Sequence, residues 1–364
     1  MRQYNTLMIM KAGFFLRHIW TIFFLFVMVL NSGQLFGQRQ QYELACIAFY
    51  NVENLFDTIN EPGKMDIDYT PEGRYLWDTE KYLDKLDKLA WVLKRLGTEK
   101  SPDGAAVIGL AEVENRRVLE DLANHKDIRD RNYQVVHYES PDFRGIDNAL
   151  FYNPDYFEYI SSRALPYEME RPDGSIERIR EVLLVTGKLM GEKIHIMVNH
   201  WPSRRGGEAA TRYKRVHGAQ VNRAIVDSLK AIDPMTKVIV MGDFNDDPVN
   251  ESIKKYLKAV GSQDRMSKEN MYNPYYDAFR KGLGTNAWRD SWSLFDQIIL
   301  SYGLVHERED GWRYFRSEIY NDRRLVQRTG RYAGYPYRSF AGGQYIGGYS
   351  DHFPVFVYLV RPVR

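Results

Sequence analysis

The chain is constrained most tightly by a series of short apolar runs, each of which starts or stops at a side-chain amide, carboxylate or imidazole. Val238-Ile239-Val240-Met241 reads as a strand buried on both faces, and Gly242 after it permits a tight turn. Asp243-Phe244-Asn245-Asp246-Asp247 follows, closed by Pro248, which cannot extend a hydrogen-bonded ladder. A carboxylate and an amide are thus presented on a stiff corner. Leu44 to Tyr50 leads in the same way into Asn51-Val52-Glu53-Asn54, Ala105 to Ala111 into Glu112-Val113-Glu114-Asn115, and Lys193 to Val198 into Asn199-His200. Asp147-Asn148 precedes Ala149 to Tyr152, Asp296 is set inside Ser293 to Leu300, and Ser350-Asp351-His352 introduces the last run, Val355 to Val360. Taken singly, each polar group is an ordinary turn, cap or satisfied core residue. Taken together, they call for a sheet scaffold with one polar edge.

Helical patterns separate these runs. Tyr82, Leu83, Leu86, Leu89, Ala90, Leu93 and Leu96 have helical spacing after Asp78 or Thr79 as N-cap, and Gly97 is a stop. Further helices are expected over Arg117 to Ala123, over Glu208 to Leu229 and from Asn250. Glu181 to Met190 and Lys193 to Val198 read as a strand pair about Gly191, and residues 166–178 as a polar hairpin about Pro172-Asp173-Gly174. With 44% apolar and 14% aromatic residues, a large core is available. No linker, low-complexity tract or fixed repeat interrupts residues 38–364, so one domain is expected there.

Residues 1–37 carry Arg2, Lys11 and Arg17 but no acid, and lead into the apolar run Ile19 to Leu30 and a polar exit. That order fits an export signal, and the run is shorter than the roughly 20 residues a spanning helix needs. A periplasmic or extracellular address is expected, with membrane attachment only if the signal stays uncleaved. Without this segment, 47 basic residues face 48 acidic ones, so an anionic partner must be held by a local patch. The single cysteine, Cys46, excludes an internal disulfide. Leu44-Ala45-Cys46 faintly resembles a lipoprotein cleavage site, but Glu43 stands where an apolar residue is wanted, so Cys46 is expected in the core of the first strand.

The polar edge offers oxygen ligands and two histidines, without cysteine partners or an HExxH spacing, which suits a hard cation such as Mg²⁺ or Ca²⁺ better than zinc. Ser350-Asp351-His352 is not a hydrolase triad, because neighbours on an extended chain point to opposite faces and no G-x-S-x-G elbow exists. Arg204-Arg205-Gly206-Gly207 opens the long helix, whose N-terminal dipole adds to the arginines as an anion site.

In this order, Asn51 within Phe49-Tyr50-Asn51-Val52-Glu53-Asn54, Glu112, Asn199-His200, Gly242-Asp243-Phe244-Asn245, Asp296 and Ser350-Asp351-His352 resemble the endonuclease/exonuclease/phosphatase superfamily. That superfamily includes DNase I, AP endonucleases, sphingomyelinases and inositol-polyphosphate 5-phosphatases. The resemblance spans about residues 43–360 and is nearest to the branch with secreted bacterial nucleases. It implies a four-layer α/β/β/α sandwich of two mostly antiparallel sheets flanked by helices, as in DNase I. It also implies Glu112 as principal metal ligand, with Asn51 and Asp351 near the ion. Asp243 would activate or orient water, Asn245 would position it, His352 would pair with Asp296, and His200 would be a second histidine with Asp147 as its acidic partner. Asn199, Arg204 and Arg205 would contact substrate. The implied activity is hydrolysis of DNA or RNA phosphodiesters with Mg²⁺, or with Mn²⁺ or Ca²⁺. The rivals are hydrolysis of inositol phosphates or phospholipid headgroups, and a non-catalytic binding module of the same fold.

Overall fold

Burial on both faces explains why the strands read as unbroken apolar runs. In the computed structural model, which describes residues 40–170, 174–307 and 310–363, strand β1 (Tyr42–Leu55) sends Cys46, Ala48, Tyr50 and Val52 into one apolar cluster and Ala45, Ile47 and Phe49 into another. The remaining strands of the two large sheets are β2 (Ala105–Val113), β3 (Gln134–His137), β4 (Asp147–Tyr152), β5 (Phe157–Leu165), β6 (Val182–Leu189) and β7 (Glu192–His200). They continue with β8 (Val238–Asp243), β9 (Ala259–Val260), β10 (Met271–Tyr272), β11 (Asp296–Ser301), β12 (Arg313–Ile319) and β13 (Val355–Pro362).

The first sheet runs β12-β13-β1-β2-β4-β3 and the second β9-β10-β11-β8-β7-β6-β5. β1/β2, β7/β8 and β9/β10 are parallel; β2/β4, β3/β4, β12/β13, β5/β6, β6/β7, β8/β11 and β10/β11 are antiparallel. The sheets pack face to face through Ile47, Phe49, Val107, Ile196, Ile239, Met241 and Ile298. Gly109 leaves room for the facing sheet, since a Cβ there would lie 2.7 Å from the Met241 methyl. Helices α1 (Thr79–Leu93) and α2 (Arg116–Ala123) cover the outer face of the first sheet. Helix α3 (Glu208–Ile232) covers the second through Ala219 and Val226. This is the expected mixed α/β architecture, and Glu43–Pro362 makes up one compact unit.

Local signals fall where side chains dictate them. Asp78 caps α1 by accepting from the Lys81 amide at 2.9 Å, and Asn115 caps α2 through the Val118 amide at 3.1 Å. The turn between β6 and β7 places Met190 and Gly191 at φ 44° and 90°. Cys46 is free and buried in β1, as expected. The structure departs from the sequence reading in three places. β1 does not stop at Tyr50 but continues to Leu55 through an irregularity that preserves its pairing with β2. The helix expected from Asn250 is a single turn, Ser252–Tyr256, since Pro248 and a polar sequence leave it little apolar face. Asp296 opens β11 rather than lying within it, because a separate hairpin, Asn286–Trp288 with Ser291–Ser293, uses up the preceding residues. Among the described residues no helix is long and apolar enough to cross a membrane. The export signal at 1–37, and Pro172 and Asp173, lie outside the described residues.

Two stability predictions follow from this packing. Ile239→Ala should lower unfolding free energy by about 2–5 kcal/mol in urea titrations, because the residue is fully buried between the sheets. His195, buried with Nδ1 2.8 Å from Thr186 Oγ1, is pushed down to about 4 by burial and then by Lys193. Its neutral form is the one the fold favours, so its stabilisation is complete above about pH 6.5 and is lost as pH falls from there towards about 4. Denaturation midpoints across that window should fall more steeply in wild type than in His195→Gln.

Candidate functional site

Strand register assembles the first part of the site. β8 lies between β7 and β11, and pairing sets Asp243 opposite His200 on one side and Asp296 on the other. The other part comes from the first sheet, at irregularities in β1 and β2. Glu53, Asn54 and Glu112 adopt φ 51°, 52° and 64°, and Asn245 on the facing sheet adopts φ 49°. Left-handed conformations at non-glycine residues are strained, and their clustering marks a place where the fold re-aims side chains at a cost of order 1–3 kcal/mol each.

The side chains interlock across the two sheets. Asn51 Nδ2 donates to Asp243 Oδ2 at 3.1 Å, and the Asn245 amide donates to Asp243 Oδ1 at 2.9 Å. His200 Nε2 lies 3.7 Å from Glu112 Oε1 and 3.6 Å from Asp243 Oδ2. His352 Nδ1 is bonded to Asp296 Oδ2 at 2.7 Å, which turns Nε2 towards Asp243 Oδ2 and Asp351 Oδ1, each at 3.9 Å. Asn245 Nδ2 donates to the Trp201 carbonyl at 3.0 Å, which fixes its amide plane.

Electrostatics gives these groups different states. Burial, then the neighbouring Asp296 and Glu112, pushes Asp243 up to about 7 against the opposing pull of His352, so it can take a proton near neutral pH. Burial alone would lower His352, but Asp296 and Asp243 outweigh it and hold the imidazole well above its ordinary value, hence charged. His200 is held far below its ordinary value by burial, then by Arg180, Arg144 and His352, hence neutral. Two imidazoles flanking one carboxylate therefore differ in charge.

Four residues outside the expected set of site residues border this group. Glu53 is buried and pushed up to about 7 by burial and then Asp351; burial draws the fully enclosed Lys85 down to about 8. Arg338 Nη2 pairs with Asp351 Oδ2 at 2.8 Å, and Arg180 donates to the His200 and Trp201 carbonyls at 3.2 and 3.4 Å. A signal existed for Lys85, which falls inside the apolar stripe of α1 between Tyr82 and Leu89, and for Glu53, two residues past Asn51.

Several expected contacts are not made. Asn199 is fully buried, donating to the Met241 carbonyl at 3.3 Å and accepting from Asn222 Nδ2 and Trp201 Nε1 at 2.7 and 3.2 Å. Strand alternation turns it towards α3 while His200 faces the site, so Asn199 is a strut and not a substrate ligand. Asp147 is bonded to His137 at 2.9 Å and to the Ser140 amide, because β3 runs beside β4; it does not partner His200. Arg204 is spent on Asp246, Asp247 and the Asn245 carbonyl, and lies over the Phe295 ring at 4.7 Å, so it braces the Asp243 corner. Arg212, Lys214 and Arg215 are likewise paired, with Glu208, Glu177 and Asp246. Arg205 is exposed, and its guanidinium has no partner among the described residues.

The donor set fits a hard divalent cation. Glu112 Oε2 accepts from the Asn54 amide at 3.0 Å, whereas its Oε1 accepts no hydrogen bond among the described residues. Several buried carboxylates crowd one place: Glu53 is raised by burial and then by Asp351, and Asp243 by burial and then by Asp296 and Glu112, repulsions that a cation would relieve. Asp243, Asp296 and His352 converge closely enough to hold an ion, but the His352 to Asp296 bond already occupies Nδ1 and marks a proton-handling pair. Of the residues expected at the ion, Glu112 keeps Oε1 free of hydrogen bonds among the described residues, while Asn51 Nδ2 is bonded to Asp243 and Asp351 Oδ2 is paired with Arg338.

The sequence matches the endonuclease/exonuclease/phosphatase family over residues 46–361. No curated protein shows significant sequence similarity to the chain. Among solved structures it resembles D. rerio TDP2 humanised by 14 mutations, with 13% identity, TM-score 0.53, and coverage of 87% of this chain and 98% of that one. D. rerio TDP2 with a single-strand DNA product gives 12% identity and TM-score 0.52 over 87% and 99% of the two chains. The Bacteroides thetaiotaomicron mannosyl-6-phosphatase Bt3783 gives 18% identity and TM-score 0.52 over 86% and 99%. The chain belongs to the endonuclease/exonuclease/phosphatase family, with its DNase I-like fold. The reaction class of that family is phosphoester hydrolysis.

Asp296→Asn tests the central pair. It should lower the His352 pKa, read from imidazole proton resonances across a pH titration, because Asp296 is the largest influence raising it. An unmoved His352 titration would refute the pairing.

Proposed function

We propose that the protein is an exported, metal-dependent nuclease that hydrolyses DNA or RNA phosphodiesters, with Mg²⁺ as its ion and Mn²⁺ or Ca²⁺ as substitutes. The observation that carries the hydrolytic part is the buried Asp243, poised near neutrality between a neutral His200 and a charged His352, with Glu112 beside His200. Glu112, Asn51 and Asp351 would hold the divalent ion, which would supply charge neutralisation at the phosphate and at the leaving oxygen. Asp243 takes the proton of the attacking water while the Asn245 side chain orients it. His352, fixed by Asp296, binds a phosphoryl oxygen as an imidazolium.

Support for nucleic acid comes from the exposed arginines 205, 323, 328 and 331, with Arg331 over the Tyr332 ring at 5.9 Å, a cation and ring surface suited to phosphates and bases. It also comes from the similarity of fold to TDP2, solved with a single-strand DNA product. Export rests on the basic, apolar and polar order of residues 1–37. A second reading, a phosphomonoesterase acting on a sugar or inositol phosphate, is favoured by two observations. Arg204, Arg212, Lys214 and Arg215 are neutralised, so no continuous basic track runs along the start of α3, and the fold is equally similar to a mannosyl-6-phosphatase.

The purified protein should nick plasmid DNA with Mg²⁺ or Mn²⁺ and lose that activity in chelator. Asp243→Ala and His352→Ala should each lower the rate by about 10²–10⁴-fold. Intact DNA and RNA alongside hydrolysis of mannose 6-phosphate or an inositol phosphate would transfer the assignment to the second reading. Wild-type activity unaffected by chelator would overturn both.

A further inference from the structure

Residues 337–350 form a hairpin arm: the Tyr349 and Ile346 amides donate to the Tyr337 and Ser339 carbonyls at 2.6 and 2.8 Å, and Phe340–Ala341 pairs with Gln344–Tyr345. Gly348 is required where the legs meet, because a Cβ there would lie 2.1 Å from the Arg338 carbonyl oxygen. The buried Lys85 of α1 reaches this arm from below and bonds one atom on each leg, Ser339 Oγ at 2.5 Å and the Tyr349 carbonyl at 2.7 Å. The Ser339 amide donates to Glu53 Oε2 at 2.6 Å, and Ser350 Oγ donates to the Asn51 carbonyl at 2.7 Å, so the arm is pinned to the site end of β1. Arg338, next to the clipped serine, lies between Asp351 at 2.8 Å and Glu53 at 3.7 Å. Its Nε is buried and faces Glu53 Oε1, and Nη2 is bonded to Asp351, but Nη1 makes no hydrogen bond among the described residues and the side chain is 29% exposed at the border of the site. A guanidinium with unused donors beside a phosphoester site is built for an incoming anion.

We propose that Arg338 contacts the substrate phosphoryl group, and that Lys85 is the positioning residue that sets it there by clipping the two legs of the arm. The phosphoryl contact rests on the phosphoester reading above; the clip does not. An apolar side chain would pack equally well in the Leu86 and Leu89 stripe, so the buried ammonium is explained by the bonds it makes and not by the core it enters.

Two readouts test this in the full chain: hydrolysis of bis(4-nitrophenyl) phosphate with Mn²⁺, and calorimetric binding of inorganic phosphate to the Mn²⁺-loaded protein. Arg338→Gln should raise KM and the phosphate Kd by at least about tenfold with kcat changed only a few-fold, and Arg338→Lys should restore part of both. Lys85→Met should show the same split while keeping a cooperative melt. The double variant should be no worse than Arg338→Gln alone, since both act on one contact. If Lys85→Met does not fold, Ser339→Ala removes one leg of the clip and should give the same split more weakly. Unchanged phosphate affinity in Arg338→Gln, or multiplying effects in the double variant, would overturn the proposal. If wild type binds phosphate through Arg338 but hydrolyses no ester, the contact stands and the hydrolytic reading falls; no phosphate binding by wild type defeats the contact.

Discussion

The hydrogen bond from Asn51 to Asp243 joins the two sheets at the point where the chemistry is placed. Asn51 belongs to β1 of one sheet and Asp243 to β8 of the other, so the bond depends on the whole apolar interior between them. That interior excludes polar groups along the length of each strand and concedes them only at the ends. The carboxylates and imidazoles gather there because the sandwich leaves no other place for them.

Gathering acids in a low-dielectric place is unfavourable, and the molecule answers it in three ways. Hydrogen-bond donors are aimed at individual oxygens, as the Asn245 amide and Asn51 side chain are at Asp243. Cations are brought in from separate elements: Lys85 from α1, and Arg338 from the arm between β12 and β13. The rest is left uncompensated, as burial first and repulsion by neighbouring carboxylates second, visible as the raised affinity of Asp243 and Glu53 for protons. This remainder ties proton and cation binding together, since either relieves the same crowding.

Much of the scaffold was legible because it rests on local rules. Unbroken apolar runs bounded by turn residues identified the buried strands, Asp78 announced a helix, and Gly191 marked a strand pair. The site residues were legible as a set, since polar groups at strand ends in this order have few other uses. Their individual partners were not. Whether Asn199 or His200 faced the site depended on which side of β7 met α3, and the sequence near them is silent on that. Asp147 was assigned to the wrong histidine because His137, ten residues earlier, reaches it only through the β3/β4 pairing. Arg204 looked available for phosphate until the fold brought Asp246 and Asp247 across from the next loop. Lys85 was overlooked because a lysine on a helix is usually solvated, and only the returning arm, more than 250 residues later in the chain, gives it partners.

A site built from two sheets has a further property. Glu112 and Asn51 ride on one slab, His200, Asp243 and Asp296 on the other, so the separation between Glu112 and Asp243 is set by the thickness of the interior. Side chains such as Met241 and the vacancy opposite it at Gly109 act as shims. A methyl group added at Gly109 would lie 2.7 Å from the Met241 methyl, so a side chain or a slab would have to shift, at a cost of about 1–3 kcal/mol. The interior, far from the polar edge, is therefore the spacer that sets how the two halves of the site face each other.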